Sequence, residues 1–228
     1  MHISASKLKT FSECPNKYYH KYVLKMPETK HPAALLGSAV HATLERIHTG
    51  DVECDDAVTW FVQDLRTRSK EEQLFVPEKL YQDGMTMLDR YDPTRRTPNL
   101  VEVEFKIPFP GVEDVEIHGF IDQLYDWGFV DLKTNKRRPL QGVLNNDYQF
   151  MLYAWAFKEL TGEEPMHSIW HHLRDGADLE SYMEDGIEKV RVIIMRVIEA
   201  DRSGVYNKNI GSACAWCPFR VPCLGTDQ

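Results

Sequence analysis

The sequence has no long apolar run. No stretch of its 228 residues approaches the roughly 18 consecutive apolar residues that a membrane-spanning helix needs. The amino-terminal segment also lacks the pattern of charged and then apolar residues that marks a secretory leader. We therefore expect a cytoplasmic protein that makes no membrane contact.

Positive charge is not in excess either. The chain carries 27 Lys and Arg residues against 35 Asp and Glu residues, which gives a formal net charge of -8. This balance argues against a protein that coats nucleic acid through a general positive field. It is compatible with an enzyme that grips DNA locally, because a short basic cluster can supply the phosphate contacts. That cluster contains Lys133, Lys136, Arg137 and Arg138.

Internal repeats, low-complexity linkers and a Gly-rich phosphate loop of the Walker type are all missing from the sequence. The missing phosphate loop argues against ATP-driven unwinding within this chain. The length suits one domain with its own hydrophobic core, and we predict that domain to cover residues 1–228.

Helical patterns dominate the first part of the chain, and strand patterns begin at Val101. Two short helices are predicted to meet near Cys14. The remaining predicted helices cover residues 33–49, 55–68, 70–91, 146–160 and 183–200. The predicted strands cover residues 101–107, 115–125, 129–134 and 166–173, and the first three are expected to form a meander. This mixture predicts an α/β (α+β) fold with a central mixed β-sheet flanked by helices.

A carboxylate and an ammonium group converge in one predicted strand. The two-residue period of a strand points Asp131 and Lys133 to one face and Leu132 to the other. A tight hairpin can bring Asp122 beside Asp131, and two adjacent carboxylates favour a hard divalent cation between them. Taken alone, such a tripeptide usually forms an exposed ion pair on an amphipathic strand.

Several motifs that follow one another in a fixed order are more specific than this tripeptide alone. The motifs are Gly37-x-x-x-His41, Gly119-x-x-Asp122, Asp131-x-Lys133 and Gln149-x-x-x-Tyr153. This series resembles the PD-(D/E)XK nuclease superfamily in its RecB-like branch, which implies a restriction-endonuclease-like core. The resemblance implies that His41, Asp122, Asp131 and the carbonyl of Leu132 bind Mg²⁺ or Mn²⁺. It also makes Lys133 the catalytic cation and places Gln149 and Tyr153 near the DNA. Glu45 and Glu104 are weaker candidates.

Four of the five cysteines form a second pattern. Cys214, Cys217 and Cys223 lie within ten residues, and Cys14 lies about 200 residues earlier, beside Pro15. Without a secretion signal, metal or cluster binding is a better explanation than disulfides. Four thiolates suit zinc or an iron–sulfur cluster, so the ligand count leaves both open. The paired C-x2-C knuckles that zinc sites typically show are absent.

The same cysteine pattern is similar to that of the iron–sulfur exonucleases related to the helicase–nuclease AddB and to CRISPR-associated RecB-like nucleases. This resemblance implies a [4Fe–4S] cluster held by Cys14, Cys214, Cys217 and Cys223, with Cys54 as a free thiol. Segments 1–32 and 203–228 then form the cluster subregion, and residues 33–202 form the nuclease core. We expect the cluster to act structurally, because closing a long loop removes much unfolded-state entropy.

Three hypotheses follow for function. The leading one is a metal-dependent DNA exonuclease that hydrolyses single strands or duplex ends in recombination, repair or CRISPR-type adaptation. The second is a non-catalytic DNA-binding or assembly subunit that retains the nuclease fold, working with recombination or CRISPR adaptation proteins. The third is a zinc-stapled protein unrelated to nucleases.

Overall fold

The computed structural model describes residues 1–28 and 30–225 and shows helices packed on both faces of one β-sheet. The strands are β1 (His2–Ile3), β2 (Leu100–Pro108), β3 (Glu116–Tyr125), β4 (Gly128–Lys133), β5 (His167–His172) and β6 (Ala177–Glu180). The helices are α1 (Ala5–Glu13), α2 (Pro15–Tyr18), α3 (Pro32–Thr49), α4 (Ala57–Glu71), α5 (Glu78–Arg90), α6 (Gln141–Leu144), α7 (Tyr148–Thr161), α8 (Gly186–Ser203) and α9 (Arg220–Leu224). A π-helical turn, Tyr19–Val23, continues α2.

The six strands form a mixed sheet, which confirms the predicted fold class. The strand order is β1-β3-β4-β5-β6, and β2 pairs with β3. Strands β2, β3 and β4 form the predicted antiparallel meander, whereas β1 runs parallel to β3 and β4 runs parallel to β5. The tight turn before β4 requires Gly128, because a Cβ there would lie 2.0 Å from the carbonyl oxygen of His167.

Two hydrophobic cores lie on opposite faces of the sheet. One contains Phe105, Ile117 and Phe129 of the sheet together with side chains of α1, α7 and α8. The other contains Tyr125, Val130 and Leu132 together with side chains of α3, α4 and α5. Helix α7 is buried at every position from 150 to 157, as expected for a helix that is apolar all round. The sheet is thus held between two helical layers.

The segments near the two ends of the chain touch each other. The backbone N–H of Asn209 donates to Cys14 Sγ at 3.4 Å, and the Asn209 side-chain amide donates to the carbonyl of Glu13 at 2.9 Å. Asn16 N–H also donates to the Asn207 carbonyl at 3.2 Å. These contacts lie within the predicted cluster subregion, of which residues 29 and 226–228 fall outside the described residues. The proposed division into subregion and core stays a prediction.

None of the helices in residues 1–28 and 30–225 combines the length and apolar character needed to cross a membrane.

Candidate active site

The candidate site forms where β3 and β4 stop pairing through their main chains. The ladder between them ends at Gln123 and Val130. Beyond that point, Asp122 Oδ2 accepts a hydrogen bond from the main-chain N–H of Leu132 at 2.6 Å. Helix α3 contributes His41, whose Nδ1 lies 3.5 Å from Asp122 Oδ1. The structure therefore brings together Asp122 and His41, which lie 81 positions apart in the sequence.

Two features hold α3 close to the sheet. A Cβ at Gly37 would lie 3.3 Å from Thr134 Oγ1, so the missing side chain permits close approach to the residue that follows Lys133. At the other end of α3, His48 Nε2 lies 2.6 Å from the Tyr91 hydroxyl, which also accepts a hydrogen bond from Gln123 Nε2 at 2.7 Å. This buried polar network fixes α3 against β3 directly beside Asp122.

Glu102 is a site residue that the motif series does not include. The register pairs Val101 with Gln123 and Val103 with Ile121, so Glu102 faces Asp122 across the β2–β3 ladder. Its φ of 46° is left-handed, a conformation that costs a non-glycine residue energy and that clusters at functional sites. The alternation of polar and apolar residues in β2 did not indicate that Glu102 belongs to the site, because it predicts a regular strand at this position.

Three side chains could hold a metal ion. Ligand atoms of His41, Glu102 and Asp122 all lie within 4.8 Å of one another. Carboxylate oxygens and an imidazole nitrogen are suitable ligands for a divalent cation such as Mn²⁺ or Mg²⁺. Asp131 lies outside this tight group, and Leu132 contributes its N–H to Asp122. The assignment of Asp131 and of the Leu132 carbonyl as metal ligands stays a prediction.

Asp131 is fully buried, and no described residue gives either carboxylate oxygen a well-aligned hydrogen bond. Lys133 Nζ lies 2.7 Å from Asp131 Oδ2, although its alignment is poor for a hydrogen bond. Burial raises the pKa of Asp131 to about 7, with the Asp122 charge adding to the rise and the Lys133 charge opposing it. The Lys133 ammonium is the nearest counter-charge of this buried carboxylate, and neither Asp131 oxygen has a hydrogen-bond partner among the described residues.

Lys133 connects the carboxylates to α7. Its Nζ donates to Gln149 Oε1 at 2.8 Å, and Gln149 Nε2 donates to the Tyr153 hydroxyl at 2.7 Å. Burial lowers the pKa of Lys133, but Asp131 and Asp122 outweigh it and raise the pKa above its ordinary value. The structure thus brings Lys133, Gln149 and Tyr153 into one chain of hydrogen bonds with a charged ammonium at its end.

Neighbouring carboxylates also favour the protonated form of His41. Burial lowers the pKa of His41, but the carboxylates of Asp122, Glu102 and Asp131 outweigh it and raise the pKa to about 10. Burial raises the pKa of Asp122, but His41 and then Lys133 outweigh it and lower the pKa. The site therefore concentrates negative charge strongly enough to hold a proton on an imidazole, which a divalent cation would replace.

Other predicted residues lie outside the site. Glu104 is 2.8 Å from Lys106 Nζ and 2.9 Å from His118 Nε2, on the exposed face of the sheet. In the basic cluster, Arg138 pairs with Asp175 at 2.8 Å. Within the described residues Lys136 and Arg137 are exposed and make no ion pair. Lys136 and Arg137 are therefore two exposed cationic side chains immediately after the strand that carries Asp131 and Lys133.

The four cysteines predicted to act together line one cavity of about 310 Å³, whose wall also contains Trp216 and Phe219. Burial raises the pKa of the Cys223 thiol, and nearby Cys14, Cys217 and Cys214 contribute to the rise. Cys54 is exposed and lies outside the cavity. The structure thus brings together the cysteines that the sequence pattern groups.

Comparison with known proteins identifies the family. Fourteen chains of solved structures match this one, among them the crystal structure of SSO0001, at 15% identity and a TM-score of 0.47. That match covers 100% of this chain and 88% of the other. The search of curated proteins found no match. The family model of the PD-(D/E)XK nuclease superfamily matches residues 2–224. The chain therefore belongs to the PD-(D/E)XK nuclease superfamily.

Proposed function

We propose that this nuclease is a metal-dependent DNA exonuclease of the RecB-like iron–sulfur branch, which hydrolyses single strands or duplex ends. The observation that carries the proposal is Asp131, a fully buried carboxylate without an aligned hydrogen-bond donor, beside a half-buried lysine and three potential metal ligands. A scaffold would gain little from such an arrangement, because removing charged groups from water costs free energy even when an ion pair offsets part of the cost.

The metal would be held by His41, Glu102, Asp122 and Asp131, with the carbonyl of Leu132 as a further ligand. When bound, Mg²⁺ or Mn²⁺ supplies Lewis acidity and a water molecule of lowered pKa. The hydrogen bond from the Leu132 N–H fixes one oxygen of Asp122 and so leaves the other directed at His41. The protein thereby sets the ligand geometry before DNA arrives.

Lys133 provides the positive charge that phosphodiester hydrolysis requires. Its ammonium is held at a defined position by Asp131 and by Gln149 Oε1. From there it stabilises the negative charge that grows on the phosphate during attack, and a charge already held in position needs little reorganisation. Gln149 and Tyr153 act as positioning residues on the substrate side, while Lys136 and Arg137 contact the DNA backbone.

The four cysteines would hold a [4Fe–4S] cluster, as the resemblance of their spacing to that of the iron–sulfur exonucleases implies. The cavity of about 310 Å³ that they line has room for such a cluster. The cluster joins the two ends of the domain, and its role is structural.

Digestion of end-labelled single- and double-stranded DNA with Mg²⁺ or Mn²⁺ tests the proposal. We expect progressive shortening from an end, abolished by Lys133→Ala without loss of the folded state. Lys158→Ala is the matched control, because Lys158 forms an exposed pair with Glu164 far along α7. Equal activity of the Lys133→Ala variant would refute the assignment.

The second candidate is a non-catalytic DNA-binding or assembly subunit, which would work with recombination or CRISPR adaptation proteins in the cytoplasm. The strained backbone at Glu102 and the unsatisfied Asp131 favour the enzyme. The subunit would bind DNA equally well with and without added Mn²⁺, and Lys133→Ala would leave its behaviour unchanged.

A further inference from the structure

We propose that the outer face of β2 and β3 binds single-stranded DNA by stacking bases on a row of three rings, Phe120, His118 and His2. We call these residues the ring row. The inference deepens the proposed function, on which it rests, because it names the strand state that the site accepts and the surface that selects it.

The side chain of Phe120 points away from the core. A Cβ on the preceding Gly119 would lie 2.6 Å from the Phe105 ring, and the following Ile121 is fully buried, so both neighbours face inward. Phe120 therefore faces outward, and 45% of it is exposed. Neither hydrophobic core includes Phe120 or His118, so packing gives no reason for a large apolar ring at this position.

The rings follow one another along the sheet. The Phe120 and His118 ring centroids are 5.4 Å apart, and the His118 and His2 centroids are 6.1 Å apart. Adjacent rings stand at 61° and 81° to each other, so they do not stack face to face. Because β1 pairs with the beginning of β3, His2 continues the row beyond His118. The result is a succession of flat ring faces, which bases can stack on.

One end of the ring row adjoins the candidate metal ligands. Asp122 follows Phe120 by two residues on β3, and alternate residues of a strand lie on the same face. Glu102 lies across the ladder from Asp122, as Glu104 does from Phe120. A strand whose scissile phosphate lies at Asp122 can therefore lay its next bases over Phe120 and His118.

The charges on this face favour bases over phosphates. Glu104 is paired with Lys106 at 2.8 Å and lies 2.9 Å from His118 Nε2, and Glu116 is exposed nearby. Lys7, which donates to the carbonyl of His2 at 2.8 Å, is the cation at the far end. With so little excess positive charge, binding depends on base stacking. A duplex keeps its bases paired inside, so the ring row selects single strands.

The test measures binding of a fluorescent oligo-dT to the Lys133→Ala protein in EDTA, which prevents cleavage. Adding Phe120→Ala is expected to weaken binding about tenfold, within the range that stacking of one base provides. Phe120→Trp should bind at least as tightly as the parent. Phe75→Ala is the matched control, because Phe75 is 80% exposed and lies between α4 and α5; it should leave affinity unchanged.

A second substrate separates stacking from a general loss of structure. With an oligomer that lacks bases, the Phe120→Ala and parent proteins should bind equally weakly. If Phe120→Ala behaves as Phe75→Ala does on oligo-dT, the inference is wrong. An altered oligomeric state with unchanged DNA affinity would assign this face to protein association and also overturn it. Because cleavage is not measured here, failure of the proposed enzymatic activity would show separately, in the digestion of end-labelled DNA.

Discussion

Asp122 divides its two carboxylate oxygens between a strand and a helix, because Oδ2 accepts the Leu132 N–H at 2.6 Å and Oδ1 lies 3.5 Å from His41 Nδ1. The first contact is structural, since a buried N–H needs an acceptor. The second is electrostatic and places the charge where a metal would lie. The two roles can be separated by substitution.

We expect Asp122→Asn to abolish Mn²⁺ binding while keeping the fold, because the amide oxygen can still accept the Leu132 N–H. Asp122→Ala should lose both Mn²⁺ binding and the acceptor for the Leu132 N–H. The unsatisfied N–H should lower the free energy of unfolding by about 1–3 kcal/mol. Calorimetric titration with Mn²⁺ and urea unfolding measure the two effects. Equal stability of the two variants would contradict the structural role of Oδ2.

The backbone at Glu102 predicts a trade between stability and metal binding. Glu102→Gly should raise the free energy of unfolding by about 1 kcal/mol without metal, because glycine adopts a φ of 46° without strain. It should also reduce the Mn²⁺-induced rise in Tm. Asp114→Gly is the control, since Asp114 has a φ of 59° in a turn outside the candidate site. That variant should gain stability and keep the full Mn²⁺ response.

Gly37 predicts a steric effect on activity. Gly37→Ala should lower nuclease activity several-fold, because its Cβ would lie 3.3 Å from Thr134 Oγ1 and push α3 with His41 away from the sheet. Thr134→Ala in the same protein should restore activity by removing that oxygen. Gly142→Ala has nothing within 4 Å and should leave activity unchanged. A double variant as slow as Gly37→Ala would show that the contact is not the cause.

The cysteines predict a link between cluster content and stability. Cys14→Ser should remove iron and acid-labile sulfide. Loss of the long loop closure should lower the free energy of unfolding by roughly 5 kcal/mol, which is roughly 10–20 °C in Tm for a domain of this size. Cys54→Ser, at an exposed thiol outside the cavity, should change neither. A colourless parent protein containing zinc would overturn the iron–sulfur assignment.

Asp175 predicts a dependence of stability on pH. Burial raises its pKa, but hydrogen bonds from Arg138 and His172 outweigh it and lower the pKa to about 2. Because the pKa is depressed on folding, its contribution is present above the unfolded value of about 3.9 and is lost as pH falls toward 2. The Tm of the Asp175→Asn variant should therefore be lower than that of the parent protein at pH 6, and the two Tm values should be equal near pH 2. The exposed pair is screened by solvent, so salt should shrink the difference.

The sequence predicted the parts of the fold with clear periodicity. The helix at α3, the three-strand meander and the buried helix α7 were confirmed, because their patterns extend over many residues. Strands β1 and β6 were not predicted, because two and four residues are too few to show a period. Motif order indicated His41, Asp122, Asp131 and Lys133, and the structure brings these four residues together.

The sequence could not predict the role of Glu102 or the network of His48, Tyr91 and Gln123, for a different reason. Glu102 joins the site through a local backbone reversal in β2, and no residue type signals a left-handed glutamate. In the network, Tyr91 lies 43 positions after His48 and 32 positions before Gln123, so only the packed fold brings these residues together. Long-range contacts and strain follow from tertiary structure, which a local pattern does not specify.

The contact between Cys14 and Asn209 joins residues 195 positions apart. Contacts of such long range form slowly, because most of the chain must be ordered before the ends can meet. If the proposed cluster is present, we therefore expect its insertion to follow folding of the core and not to initiate it. Iron starvation would then leave a folded core with two loose ends, and proteases would trim those ends first.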